Sequence, residues 1–236
     1  MIHARIKDID LKFVTETSLF SPNFIDKGTL AMLSVSDFLP SDKVLDLGCG
    51  YGVVGILAGK LIGEEKVVMC DISERAVEYA KKNAVLNGVP HISIRLSDGY
   101  ENVEENDFTL ILTNPPYHAD FSVPKRFIEG SFQRLAMGGK LVMVTKRLDW
   151  YKNKLISVFG RVKVQEMEGY YVFTAEKRSR VIKKKKKPAK SLSKKLQRKQ
   201  KCSKDKALST QMSIRGINAI HQKGDTDCMT TPVYFA

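Results

Sequence analysis

The sequence predicts an α/β protein, a mostly parallel sheet with helices on both faces, and three observations carry that expectation. Apolar runs of strand length alternate along the chain with longer stretches of helical period, the pattern of successive strand-helix units. The run Val44-Leu45-Asp46-Leu47 passes directly into Gly48-Cys49-Gly50-Tyr51-Gly52 and then into small apolar residues: a strand, a glycine turn and a helix start. A second apolar run, Val67-Val68-Met69-Cys70, begins after 19 intervening residues and closes on Asp71.

Taken in order, Ile6 to Val14 alternates in part and reads as an edge strand. Ile25, Leu30, Leu33, Val35 and Phe38 then predict a helix from about Asp26 to Leu39, ended by Pro40. After the glycine turn, Val53 to Leu61 is a helix and Lys66 to Cys70 a strand. Ser73 to Asn87 is an amphipathic helix that stops at Asn87-Gly88. His91 to Leu96 alternates as a third core strand, the acidic run Glu101 to Asp107 is a loop or short helix, and Phe108 to Leu112 is a fourth strand. Phe127 to Ala136 is helical, Met137-Gly138-Gly139 turns tightly, and Lys140 to Thr145 is a buried fifth strand. A last helix over Trp150 to Phe159 leads to a terminal hairpin carried by Val162, Val164 and Tyr170 to Phe173.

The 236 residues suffice for one sizeable core, and no apolar run approaches the roughly 18–20 residues that span a bilayer. Met1 to Lys12 lacks the uninterrupted apolar segment of a secretory signal, so the expected location is cytoplasmic, away from membranes. Cys49, Cys70, Cys202 and Cys228 form no C-x-x-C pair and the four histidines are scattered, so reduced thiols and no metal site are expected. The net charge of +13 is uneven. Residues 1–176 are nearly neutral at −2, residues 177–206 carry +15, and residues 207–236 carry none. The chain therefore divides into a folded domain over 1–176, a Lys-rich, self-repelling segment over 177–206 suited to a polyanion, and a tail over 207–236 too poor in apolar residues to fold alone.

Two features define the ligand of the glycine turn. Gly48, Gly50 and Gly52 allow a sharp bend and bare backbone against a ligand. Asp46 sets a carboxylate in the mouth of the turn, which opposes a diphosphate and suits a positively charged ligand such as a sulfonium with an amino-acid tail. The spacing matches neither a dinucleotide fingerprint nor a phosphate loop. Asp71, ending the next strand, is placed to grip ribose hydroxyls, the alternative being a helix N-cap. Further on, Thr113-Asn114-Pro115-Pro116-Tyr117-His118 follows a buried strand with a backbone stiffened by two prolines. Such a loop can hold one polar side chain in place. If the Asn114 side-chain oxygen and the Pro115 carbonyl each accept one proton of an exocyclic NH2, the nitrogen lone pair is directed, and Tyr117 can stack on a planar base.

With D-L-G-C-G-Y-G, the acid Asp71 and N-P-P-Y at 114–117, the chain resembles the class I S-adenosylmethionine-dependent methyltransferases over about residues 13–176. The resemblance implies a Rossmann-like seven-stranded sheet with one antiparallel strand and S-adenosyl-L-methionine as cofactor. It places Asp46 and the turn with Gly48, Cys49, Gly50, Tyr51 and Gly52 on the methionine part, Asp71 with Ile72 on the ribose, and Asp98 on the adenine amino group. Asn114 borders both cofactor and substrate, and Asn114, Pro115 and Tyr117 form the catalytic loop. N-P-P-Y-H, together with F-S-P-N-F-I-D-K-G-T before the core, is most similar to the small methyltransferase domain of the ribosomal RNA guanine-N2 methyltransferases. That similarity adds Phe20, Asp26 and His118 as substrate contacts and implies RNA, in particular ribosomal RNA or a ribosomal subunit, as partner. His118 serves equally as a helix cap, and Phe20 and Asp26 as a capped loop entering a core helix. The best-known members of that group carry a second domain in front, whereas only about 43 residues precede the first core strand here. Three alternatives remain open: adenine-N6 methylation of RNA or DNA, glutamine-N5 methylation of protein, and a non-enzymatic RNA-binding module.

Overall fold

The computed structural model describes residues 1–116 and 120–181. Tyr117, His118 and the Lys-rich run from 182 onward lie outside the described residues. The chain opens with a separate antiparallel hairpin, β1 (Ile2–Ile6) and β2 (Ile9–Phe13), where a single edge strand was expected. Lys7 and Asp8 form its two-residue turn with φ of 49° and 62°, both left-handed, as tight hairpins require. Helix α1 (Lys27–Ser34) follows, capped by Asp26, whose carboxylate accepts from Thr29 N at 3.0 Å. It stops well before Pro40, with Val35 as its C-cap.

The main sheet contains β3 (Val44–Leu47), β4 (Val67–Asp71), β5 (Ser93–Leu96), β6 (Phe108–Thr113), β7 (Leu135–Thr145), β8 (Lys163–Met167) and β9 (Tyr170–Glu176). Their order is β5-β4-β3-β6-β7-β9-β8. The first five are parallel; β9 runs antiparallel between β7 and β8. The last strand thus enters the interior of the sheet, and the predicted mostly parallel sheet with one antiparallel strand is what the chain builds. The turn expected at Met137-Gly138-Gly139 is instead a register irregularity within β7, which pairs Leu135 with Phe108 before it and Lys140 with Leu110 after it.

Side chains alternate across the strands and feed two cores. One lies under α1, α2 (Val53–Ile62) and α3 (Glu74–Leu86), with the hairpin packed beside them. The other lies under α4 (Ser122–Arg134) and α5 (Asp149–Phe159), where Leu45, Leu47, Phe108 and Phe173 meet Phe132, Tyr151 and Leu155. α4 begins five residues earlier than its apolar pattern suggests, because Pro124 is tolerated in a first turn that needs no intrahelical donor.

Two asparagines four residues apart, Asn83 on α3 and Asn87 as its C-cap, tie the hairpin to this body. Asn83 is fully buried, accepts from Val14 N at 2.7 Å, and donates to the carbonyls of Val14 at 3.0 Å and Tyr51 at 2.9 Å. Asn87 makes the equivalent pair with Lys12 N and O. These amides stand where a neighbouring strand would, so the end of β2 is hydrogen-bonded by a helix. Glu16 holds the following segment by accepting from Arg75 at 2.8 and 2.6 Å and from Tyr79 at 3.0 Å. Lys177, the first residue of the basic segment, still belongs to the body: its N–H donates to Gly139 O and its ammonium to Leu135 O. Among the described residues no helix is long and apolar enough to cross a membrane, and no group of three or more metal-ligating side chains occurs.

Candidate active site

Register places the functional residues on one edge. Leu47 pairs with Cys70, and Asp46 with Leu112, so the chain leaves β3 at Gly48, β4 at Asp71 and β6 at Asn114 on nearly the same level. These are carboxyl ends of adjacent parallel strands, where open α/β sheets bind ligands. A cavity of about 310 Å³ lies there, lined by the glycine turn, Asp71, Asp98 and Asn114, and by Phe20 and Asp26 from the segment before α1.

The turn is held by the two acids it contains or faces. Asp46 is 2% exposed and accepts from Gly55 N at 2.8 Å in the first turn of α2. Burial pushes its carboxyl up to about 7; the Gly55 hydrogen bond opposes this and the charge of Asp71 adds to it. Asp71 accepts from Gly50 N at 2.9 Å through one oxygen and from Ser73 N at 2.9 Å through the other. The N-cap of α3 is Ser73, which accepts from Ala76 N, so Asp71 is not spent as a cap. Gly50, at φ 55°, would carry a Cβ into open space, with no protein atom within 4 Å. Gly52 serves packing: a Cβ there would meet Ile56 at 2.8 Å and Met69 at 3.0 Å, and it does not line the cavity. Burial also raises the thiols of Cys49 and Cys70, the latter to about 12, so both remain protonated. Tyr51 lines the cavity from a buried position against Phe13, whereas Ile72 lines it while two-thirds exposed.

Asp98 is engaged by Arg126 of α4 in a two-pronged ion pair, one contact being Nη1 to Oδ2 at 2.9 Å. Both line the cavity. Nothing local announces that pairing, because Arg126 lies 28 residues beyond Asp98.

At the opposite end, Asn114 donates through Nδ2 to Asp26 Oδ2 at 2.9 Å and to Thr29 Oγ1 at 3.0 Å. Rotating the amide end for end would set its oxygen against the Asp26 carboxylate, so Oδ1 is fixed as the acceptor end. Asp26 also accepts from the Tyr170 hydroxyl at 3.3 Å. Gly28 allows this meeting: a Cβ there would lie 2.7 Å from the Tyr170 ring and 2.8 Å from Asp26 Oδ2. Thr29 and Tyr170 were missed as site residues. The N-cap spacing of Asp26 to Thr29 was a usable signal for the first, whereas Tyr170 looked like ordinary hairpin core.

A parallel sheet with a glycine turn after its first core strand, acids ending the next strands, and an antiparallel strand inserted beside β7 defines the class I methyltransferase fold, with its ligand cavity on the carboxyl edge. The open side of Gly50, the buried acid and the cavity size fit S-adenosylmethionine, and the protein is an S-adenosylmethionine-dependent methyltransferase. A model of the methyltransferase small domain family matches residues 10–174, and the chain belongs to that family. It is 32% identical over 179 residues to protein YbxB of Bacillus subtilis, covering 73% of this chain and 89% of that one. It is 34% identical over 166 residues to ribosomal RNA small subunit methyltransferase C of Hamiltonella defensa, covering 68% of this chain and 48% of that one. Among solved structures, the T. thermophilus 16S rRNA N2 methyltransferase RsmC in complex with AdoMet and guanosine matches with a TM-score of 0.64 at 28% identity, covering 75% of this chain and 50% of that one. The chain spans about half the length of the curated methyltransferase C relatives it matches.

Proposed function

We propose that this methyltransferase modifies the exocyclic amino nitrogen of a base in RNA, and that the base is guanine, methylated at N2, in ribosomal RNA. The observation that carries the proposal is the Asn114 amide, locked by Asp26 and Thr29 beside the cofactor turn with its oxygen as acceptor. Support for the base and the RNA comes from relatives named as ribosomal RNA methyltransferases and from the neighbour that holds guanosine.

S-adenosylmethionine supplies a methyl group on a sulfonium sulfur, an activated leaving arrangement in which the new nitrogen–carbon bond replaces a sulfur–carbon bond. The protein's work is alignment. Asp46 and the glycine turn receive the charged methionine end, Asp71 the ribose and Asp98 the adenine edge. Asn114 Oδ1 and the Pro115 carbonyl accept the two protons of the base's NH2, which turns the nitrogen lone pair toward the methyl group. Asp26 acts through Asn114 as a positioning residue, and the proton shed after transfer passes to solvent without a dedicated base. Phe20, on the cavity wall and half exposed, offers an aromatic face to the base. The Lys-rich run beyond residue 181 adds sequence-independent attraction to phosphate.

The test is transfer of labelled methyl to total RNA, ribosomal subunits and protein extract, followed by nucleoside analysis, with Asn114→Ala as control. N2-methylguanosine in ribosomal RNA that disappears in the control is the expected result. N6-methyladenosine would retain the alignment chemistry and change the base; label confined to protein would overturn the RNA reading.

A further inference from the structure

Beyond the base pocket, β7 ends at Thr145 on the same sheet edge as Asn114 and is followed by two exposed cations, Lys146 and Arg147. Each lies over a different aromatic ring. The Lys146 ammonium lies over the Tyr170 ring, 5.0 Å from its centroid, and the Tyr170 hydroxyl is bonded to the Asp26 that holds Asn114. Arg147 lies over the ring of Phe121, 5.2 Å from its centroid. Phe121 in turn stacks on Trp150, with centroids 4.5 Å apart and planes inclined by 30°, although it remains 37% exposed. Trp150 is half-buried against the core, so the stack is a fixed base on which the exposed guanidinium rests. The acid nearest in the chain, Asp149, lies in the first turn of α5, where the helix N-terminus favours its charge.

We infer that Lys146 and Arg147 form a cationic fork that holds RNA phosphates flanking the methylated nucleotide, with the Phe121–Trp150 stack holding Arg147 in place. This inference rests on the RNA reading of the Asn114 site. A nucleotide presented to Asn114 carries a phosphate on each side, and the two cations follow β7 on the edge where Asn114 follows β6. It also gives the folded body its own hold on the backbone, independent of the basic run that follows it.

Trp150 is the single tryptophan of the chain, so its emission reports this surface alone, even in the full-length protein with its basic run. Titration with a single-stranded RNA of about eight nucleotides containing one guanosine should produce a saturable change in emission. Lys146→Gln and Arg147→Gln, which keep the stems and remove the charges, should each weaken the RNA response and lower its salt slope by about one. Phe121→Ala should weaken it about threefold through loss of the ring under Arg147. Emission unmoved by saturating RNA, or a Lys146→Gln/Arg147→Gln double variant with wild-type affinity and salt slope, would overturn the fork. Circular dichroism confirms that each variant is folded. The base assignment is judged separately: if the variants behave as expected while no RNA accepts methyl label, the fork stands and the methylation reading falls. N2-methylguanosine formed with an unchanged RNA KM in the double variant sinks the fork alone.

Discussion

Replacing Asp26 with alanine probes the acceptor half of the site most directly. The substitution removes the carboxylate that takes hydrogen bonds from Thr29 N, Asn114 Nδ2 and Tyr170. Loss of the α1 N-cap costs about 1 kcal/mol and loss of a charge-assisted bond to a side-chain amide about 1.5–3 kcal/mol, giving a total of about 2–4 kcal/mol. For a domain of this size that lowers Tm by about 5–15 °C. Asn114 would keep Thr29 Oγ1 as a partner, but a displacement of about 1 Å is enough to cost about a hundredfold in rate. The loss should fall on kcat, with KM for S-adenosylmethionine little changed, because the cofactor half is held by other residues. Asp26→Asn should recover both properties to within about tenfold, since an asparagine caps a helix equally well and its oxygen can stand where Oδ2 accepts from Thr29 and Asn114. The assay is steady-state methyl transfer at saturating RNA, read beside a thermal melt. A kcat for Asp26→Ala within about twofold of wild type would refute positioning by Asp26. An Asp26→Asn variant as impaired as Asp26→Ala would place the role in the negative charge itself.

Three further outcomes follow from the geometry. The Asp46 carboxyl, raised by burial from 3.8 to about 7, binds its proton more tightly folded than unfolded, so ligand-free stability should fall as pH rises between those values. A cationic ligand favours the ionised form, so S-adenosylmethionine affinity should rise with pH, approaching tenfold per unit below about 7, with proton release visible by calorimetry in buffers of different ionisation enthalpy. Asp46→Asn should flatten both dependences. Gly28→Ala drives a methyl into the Tyr170 ring and Asp26 Oδ2, and should lose about 1–3 kcal/mol of stability together with kcat, measured by denaturant unfolding and transfer assays. Asn83→Ala leaves the Val14 amide and the Val14 and Tyr51 carbonyls without their side-chain partner, at a cost of about 2–4 kcal/mol by denaturant unfolding, and amide exchange should rise first at Val14.

The glycine turn and the acids that meet at the cavity were legible because their signals are local. Asp46, Gly48, Gly50 and Asp71 fall within one strand-turn-helix-strand unit, where glycine marks the turn and an acid marks a strand end. Whatever depended on side chains from distant segments was not. The Arg126 pairing with Asp98 needs α4 to cross the cavity edge, and nothing in the order of residues gives that crossing. The hairpin was read as one strand because Lys7 and Asp8 carry no glycine to announce their left-handed turn. The early start of α4 is not legible because its apolar period begins only at Phe127, and the turn before it is polar apart from Val123 and Pro124.

The placement of β9 has a consequence for the order in which the protein becomes competent. Bonds that shape the cofactor turn join residues 9 and 21 apart, whereas those that lock Asn114 and Asp26 join residues 88 and 144 apart. β8 reaches the sheet only through β9, and Tyr170 is the first residue of that strand. A chain emerging from synthesis therefore completes its cofactor cradle early and its acceptor clamp last, with loop-closure entropy delaying the second step. Methyl transfer thus reports that the last strand has gone home, whereas cofactor binding alone does not.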